Sequence, residues 1–193
     1  MSHNELMRET KKTHIIESSK PVFSRKGYSN VKMKDLIEAS AISRGGIYLY
    51  FQSVEEVFIE IIARRERKIV DDVEQLMKKD VSFHQLLDAY LKIQADRLKN
   101  IHDSFLKASY EYQFTKANAD FNRQKANNAR LTIQSIILYG QKKGELTPTN
   151  PNELVEHILI YIEGLNISLL INTIRESDID SSLDTLKEVI YNA

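Results

Sequence analysis

The chain of 193 residues contains no cysteine and no tryptophan. Without cysteine there are no disulfides, no thiolate metal ligands and no thiol nucleophile, which fits a reducing cytoplasm. Three prolines and six glycines leave little punctuation for an all-β fold, and β-branched alternation is rare. The longest uninterrupted apolar run, Ile158–Ile162, is far too short to span a bilayer, so no membrane partner is expected. The opening MSHNELMRETKKTH has no apolar core and does not read as a signal peptide.

Catalytic and cofactor chemistry is equally thin. The five histidines (His3, His14, His84, His102 and His157) form no HxxxH or HxxH pair. Gly45-Gly46 lacks the lysine that a phosphate-binding loop requires. Asp71-Asp72 and Glu55-Glu56 are adjacent pairs that diverge on a helix surface. No nucleophile, base and orienting group assemble at a recognisable spacing. No enzyme, metal site or cofactor is expected.

What the chain does have is helical periodicity and uneven charge. Hydrophobic residues make up 42%, enough for a real core. Nine Lys/Arg against five Asp/Glu leave residues 1–52 at +4, and eighteen against twenty-two leave the remainder at −4. A basic start on an otherwise mildly acidic chain points to a nucleic-acid contact at one end. The expected fold is all-α with about nine helices: an N-terminal helix-turn-helix head over 1–52, then a helical ligand-binding and dimerisation bundle over 53–193.

The first helix should run over 5–26 on Ile15, Ile16, Ser19, Val22 and Phe23, ending at Gly27. Pro21 predicts a kink or a late start. A short helix over 33–40 turns Leu36 and Ala39 inward, and a third covers 44–50. The fourth starts after Ser53 and carries the stripe Val54, Val57, Phe58, Ile61, Ile62. Ser82 with Gln85 is a capping box opening the fifth. The sixth starts near Asp103 or Ser104, the seventh covers 118–143, and Asn150-Pro151 opens an eighth reaching about residue 174. A ninth begins near Asp180.

The stretch AISRGGIYLYFQSVEEV, Ala41 to Val57, carries the most information. Ser43 is a helix N-cap, followed by Arg44, Gly45, Gly46, Tyr48 and Tyr50 within about two turns. Ser53 and Glu56 form the next capping box. A short helix with almost no bulk at its N-terminus suits a DNA major groove, where that end of a recognition helix meets base edges and phosphates. Arg44 can bond bidentately to a guanine edge or pair with a phosphate.

Residues 15–62 resemble the DNA-binding segment of the tetracycline-repressor (TetR) family of bacterial transcription regulators. The matching residues are Phe23, Gly27-Tyr28, Lys34-Asp35-Leu36, Ile42-Ser43-Arg44-Gly45, Tyr48-Leu49-Tyr50-Phe51, Ser53, Glu55 and Phe58. The resemblance implies that Met33 and Lys34 meet the DNA backbone. It places Ser43, Arg44, Gly45 and Gly46 at the first turn of the recognition helix, and Tyr48 and Tyr50 at phosphate or base contacts. Two positions depart from the pattern: Lys32 replaces the usual hydroxyl cap of the second helix, and Val54 replaces a lysine that contacts phosphate.

The remaining helices match that family only in number and length, so the effector is open. A cavity between the fifth and eighth helices, lined by Phe105, Tyr110, Phe114 and Asn166, would hold a small lipophilic molecule. Glu163 interrupts the most apolar helix; it either faces a cationic ligand or pairs with Arg130 or Lys107, or sits at a wet dimer rim. The eighth helix is apolar nearly all round, which suggests a second subunit on its outer side. The interface residues expected on the eighth and ninth helices are Leu154, Ile158, Leu165, Leu183, Leu186 and Ile190. The reading adopted is a cytoplasmic homodimeric repressor on a palindromic operator, released by a lipophilic effector. Its rivals are a DNA-binding regulator without an effector, and an all-helical enzyme or scaffold.

Overall fold

The computed structural model describes residues 3–99, 104–116, 119–147 and 150–192. Every regular element among them is helical, in the order α1 (His3–Lys26), α2 (Met33–Ser40), α3 (Arg44–Tyr48), α4 (Val54–Lys78), α5 (Phe83–Leu98), α6 (Phe105–Lys116), α7 (Ala119–Lys143), α8 (Pro151–Leu170) and α9 (Ile179–Tyr191). The expected helix starts at Asp103 and residue 118 lie outside the described residues, as does His102. Among the described residues no helix is long and apolar enough to cross a membrane.

The described residues fall into two compact units. The first comprises those of Met1–Arg65 and Asp103–Ala117, the second those of Glu66–His102 and Asn118–Ala193. Residues past 52, and α6 from much later in the chain, fall in the same unit as α1, α2 and α3.

In the first unit α1 buries the expected face, Ile15, Ile16, Ser19, Val22 and Phe23. It runs unbroken past Pro21. Neighbouring serines return hydroxyls to the helix carbonyls, Ser18 to His14 (2.7 Å) and Ser19 to Ile15 (2.7 Å), a pattern that helices tolerate and that often bends them. The helix ends at Gly27, whose φ of +72° is the left-handed conformation glycine takes at little cost. A Cβ there would also stand 2.3 Å from the Glu111 carboxylate of α6, which would have to swing aside. That carboxylate accepts the backbone N–H of Tyr28 (2.6 Å) and of Ser29 (3.3 Å).

On α2, Leu36 is buried as expected, but Ala39 is exposed and Ser40 takes the inward position. Ser40 can sit inside because its hydroxyl donates to the Ile37 carbonyl (3.4 Å), and its own carbonyl lies 2.8 Å from His14 Nε2. The centre of this unit is aromatic. Phe58 stacks with Phe105 at 4.9 Å between centroids and meets Phe23 edge-on at 4.9 Å, and Tyr28 packs edge-on against Tyr112 at 4.7 Å. Each such pair adds roughly 0.5–1.5 kcal/mol beyond area burial. Tyr112 also donates its hydroxyl to Glu55 at the start of α4 (2.8 Å).

In the second unit α7 packs on α8 and α5, and α9 packs on α5 and α8. Gly140 of α7 lets Phe83 approach: a Cβ there would stand 2.6 Å from the Phe83 ring. Asn150 caps α8 by accepting the Glu153 N–H (3.4 Å), with Pro151 at the first position. The helix stops at Leu170, short of the expected end, and a 3-10 turn at Glu176–Asp178 leads into α9.

Leu154, Ile158, Leu165, Leu183, Leu186 and Ile190, expected between subunits, are all buried within the chain itself. On α8, which is apolar on two sides, Leu154, Ile158 and Leu165 belong to the inner side. Its outer side shows Ile160 (68% exposed), with open space around Gly164 and with Ile171 (63%) capping its end.

Candidate nucleic-acid interface

The head presents α2, a tight turn and α3. At the start of α2, Lys32 cannot cap as a hydroxyl would. Asp35, at the third helical position, accepts the Lys32 backbone N–H (2.9 Å) while Lys26 pairs with it at 2.7 Å. The Lys26 hydrogen bond, followed by the Lys32 N–H, holds the Asp35 carboxyl below the usual carboxylate range. No side chain caps the helix at position 32, and the Asp35 N–H bonds the Lys32 carbonyl (2.9 Å). Lys34, on the same turn, is exposed, with Glu38 3.7 Å away, and Met33 is half-buried.

Ala41 closes α2 in the left-handed conformation, φ +53°. Two residues later the Ser43 hydroxyl accepts the Gly46 N–H at 3.2 Å, satisfying one of the orphan donors at the start of α3. Leu36, Ile47 and Phe51 are buried and pin the short helix from below. Helix α3 stops at Tyr48, earlier than the expected residue 50, because the N–H groups of Tyr50 and Phe51 both turn back to the Ile47 carbonyl (3.0 Å each). Glu56 then accepts the Gln52 N–H (2.7 Å) while Ser53 accepts that of Glu56 (3.1 Å).

Ser43, Arg44 and Gly45 are exposed; Gly46, Tyr48 and Tyr50 are half-buried. The Arg44 guanidinium lies over the Tyr48 ring, 6.0 Å from its centroid, a weak cation–π contact that orients it without consuming its hydrogen-bond donors. The two glycines differ. A Cβ at Gly46 would stand 2.8 Å from Ile42 Cγ2, so packing accounts for that glycine; a Cβ at Gly45 would meet nothing within 4 Å. The fold makes no demand for glycine at 45. Leu49, outside the set expected from the sequence, is 73% exposed one turn beyond Gly45. The available signal was that Ile47 and Phe51 already fill the inward positions.

Gly45→Ala separates fold from contact. Gaining helix propensity without a clash, it raises stability by about 1 kcal/mol, or roughly 2–4 °C in Tm. If the backbone here approaches DNA, the same variant binds its operator more weakly. Unchanged operator affinity in a calorimetrically more stable variant would exclude close approach at this residue.

The residues expected to line an effector cavity are divided between the two units. Phe105, Tyr110 and Phe114 lie in the first unit: Phe105 belongs to the aromatic core around Phe58, Tyr110 is buried, and Phe114 is 73% exposed. Glu163 and Asn166 lie in the second, where the Asn166 amide donates to Glu163 (3.1 Å). Arg130, a candidate partner for Glu163, pairs with Glu156 instead (3.1 Å). Aromatic residues on one helix show that it packs, not against which neighbour.

Comparison with known proteins agrees with this geometry. The model of the family described as bacterial regulatory proteins, tetR family, matches residues 15–61. The uncharacterised HTH-type transcriptional regulator YfiR of Bacillus subtilis (strain 168) is 31% identical over 150 residues, 75% of this chain and 72% of that protein. Two solved structures share the fold. The transcriptional regulator FadR of Bacillus subtilis, in complex with stearoyl-CoA, has TM-score 0.67 at 16% identity, covering 90% of this chain and 96% of that one. A protein of Saccharomonospora viridis, in complex with choline, has TM-score 0.72 at 21% identity, covering 93% and 94%. The helix-turn-helix with its exposed, side-chain-poor first turn and the match to a regulator over three quarters of the chain lead to one assignment: the protein belongs to the TetR family of bacterial transcriptional regulators and is a DNA-binding regulator, not an enzyme.

Proposed function

We propose that the protein is a homodimeric repressor that binds a palindromic operator through α3 and is released from it by a small lipophilic effector bound in its second unit. The observation that carries the DNA contact is the exposed turn Ser43–Gly46, with open space at Gly45 and the free face of Arg44 beside it. Met33 and Lys34 would hold the backbone, Arg44 would read a base, and the Tyr48 and Tyr50 hydroxyls would meet phosphates.

Pairing is supported by the outer face of α8, where Ile160, Gly164 and Ile171 recur at helical spacing and stay exposed, and by Val189, exposed on α9. A two-fold axis there would bring like to like, and a stable interface would bury roughly 2,000 Å² or more in total. An effector is supported by the ligands of two proteins with the same fold, stearoyl-CoA and choline. Repression and release then follow from a two-state equilibrium in which the ligand prefers the conformation unable to match both half-sites.

Selection of random duplexes with the purified protein is expected to return a palindrome whose half-sites lie about one helical turn, ~34–36 Å, apart. Sedimentation of the same preparation should show a dimer at micromolar concentration. A single unpaired half-site, or a monomer, would overturn the dimeric reading. A promoter carrying the site that is expressed more strongly with the protein present than without it would overturn repression.

A further inference from the structure

Leu49 contributes little to the fold. It is 73% exposed, while Ile47 and Phe51 on either side of it are buried and fill the inward positions. Single exposed apolar residues are ordinary on protein surfaces; this one is set apart by its place. It closes α3 with helical backbone angles, φ −70° and ψ −19°. Helical spacing therefore puts it on the face of Gly45, four residues back. Ser43 and Arg44, which precede that glycine, are exposed as well.

Side chains on a helix lean toward its N-terminus, so Leu49 is directed over the turn that holds Gly45. Even so, a Cβ built on Gly45 would meet nothing within 4 Å. The space over the glycine thus accepts a methyl group without displacing anything. An apolar side chain beside an unfilled, methyl-sized space is a poor match for a phosphate, which needs a cation or a hydrogen-bond donor. It is a poor match for most base edges too, since a donor or acceptor pressed against leucine loses its water without a replacement. Base pairs present one apolar group in the major groove, the C5-methyl of thymine.

We propose that Leu49, with the open space over Gly45, receives a thymine methyl, so that each half-site carries an A·T pair whose methyl lies against α3. The inference rests on the placement of α3 in the groove proposed above, and it adds a second base to the one assigned to Arg44. The two residues read by different chemistry. Arg44 selects through hydrogen bonds, and Leu49 through a contact that only one base supplies. The Leu49 contact releases no counterions, so it carries specificity without salt dependence.

The palindromic duplex returned by selection is the probe. Each thymine of a half-site, with its symmetry mate, is replaced in turn by deoxyuridine, which removes the methyl and leaves every hydrogen-bonding group in place. At one position the wild type should lose about fourfold in affinity for each methyl, about fifteenfold for the pair. Leu49→Ala should bind the thymine and deoxyuridine duplexes alike, with the wild-type salt slope. Gly45→Ala, whose own methyl occupies the space, should also bind the two alike. Circular dichroism of both variants confirms that the fold is kept. A wild type indifferent to the methyl at every position, or a half-site without thymine, overturns the inference. Discrimination that persists in either variant overturns it as well. If Arg44→Ala still weakens binding in those cases, α3 stays in the groove and only the role of Leu49 is lost. Unchanged affinity in both Arg44→Ala and Leu49→Ala removes α3 from the groove, and this inference with it.

Discussion

In the proposed homodimer, Ile160→Glu is expected to give a monomer while leaving the protomer folded. Ile160 is exposed on the outer face of α8, so a carboxylate there meets only water in an isolated chain. Across a two-fold axis the substitution is counted twice, and two carboxylates must be stripped of water without partners. Leaving an uncompensated charge buried costs about 3–5 kcal/mol, and here that cost is met twice, so dissociation should strengthen by about ten-thousandfold or more. Operator binding should fall with it, since a palindrome is read by both heads. Leu165→Glu should behave differently. Leu165 is buried in its own chain, so its replacement places the charge in the protomer core and lowers Tm or prevents folding. Sedimentation and circular dichroism of the two variants distinguish these outcomes. A dimeric Ile160→Glu protein would show that the outer face of α8 is not the interface. A folded, monomeric Leu165→Glu protein would return Leu165 to it.

The second large effect is expected at Arg44. One bidentate arginine–guanine contact is worth about 1–3 kcal/mol. Two copies in a dimer should therefore weaken operator binding by roughly thirtyfold to ten-thousandfold in Arg44→Ala. The preference for one base at a symmetric pair of positions should relax at the same time. Stability should hardly change, because Arg44 is exposed and its contact with the Tyr48 ring is a weak one. Titration against operator and mismatched duplexes at several salt concentrations is the measurement. Equal weakening on every sequence, with the salt slope shallower by about 0.9 for each lost contact, would make Arg44 a phosphate contact. Unchanged affinity would remove α3 from the groove.

The head was legible in the sequence because its signals are local. Ser43, Ser53 and Gly27 are capping residues whose chemistry acts within one turn, and each caps where expected. Of the stripe Val54, Val57, Phe58, Ile61 and Ile62, the last four are buried as its period predicts and Val54 is half-buried. Errors arose where two answers shared one pattern. Ala39 and Ser40 compete for one inward position on α2, and the serine can take it because its hydroxyl donates to the Ile37 carbonyl. Helix α8 has two apolar faces, and its period alone does not say which faces its own chain.

The sequence by itself determined the all-helical class, the helix-turn-helix, its family and the exclusion of cysteine chemistry, because composition, caps and period are properties of neighbouring residues. Tertiary structure alone decided the rest. It assigned the aromatic residues Phe105 and Tyr112 to the core of the head, through contacts with Phe23, Phe58 and Tyr28 that lie far away in sequence. It buried the six leucines and isoleucines of α8 and α9 in the protomer and left Ile160 and Ile171 outside. Burial and charge balance depend on which helices meet, and no local pattern carries that information.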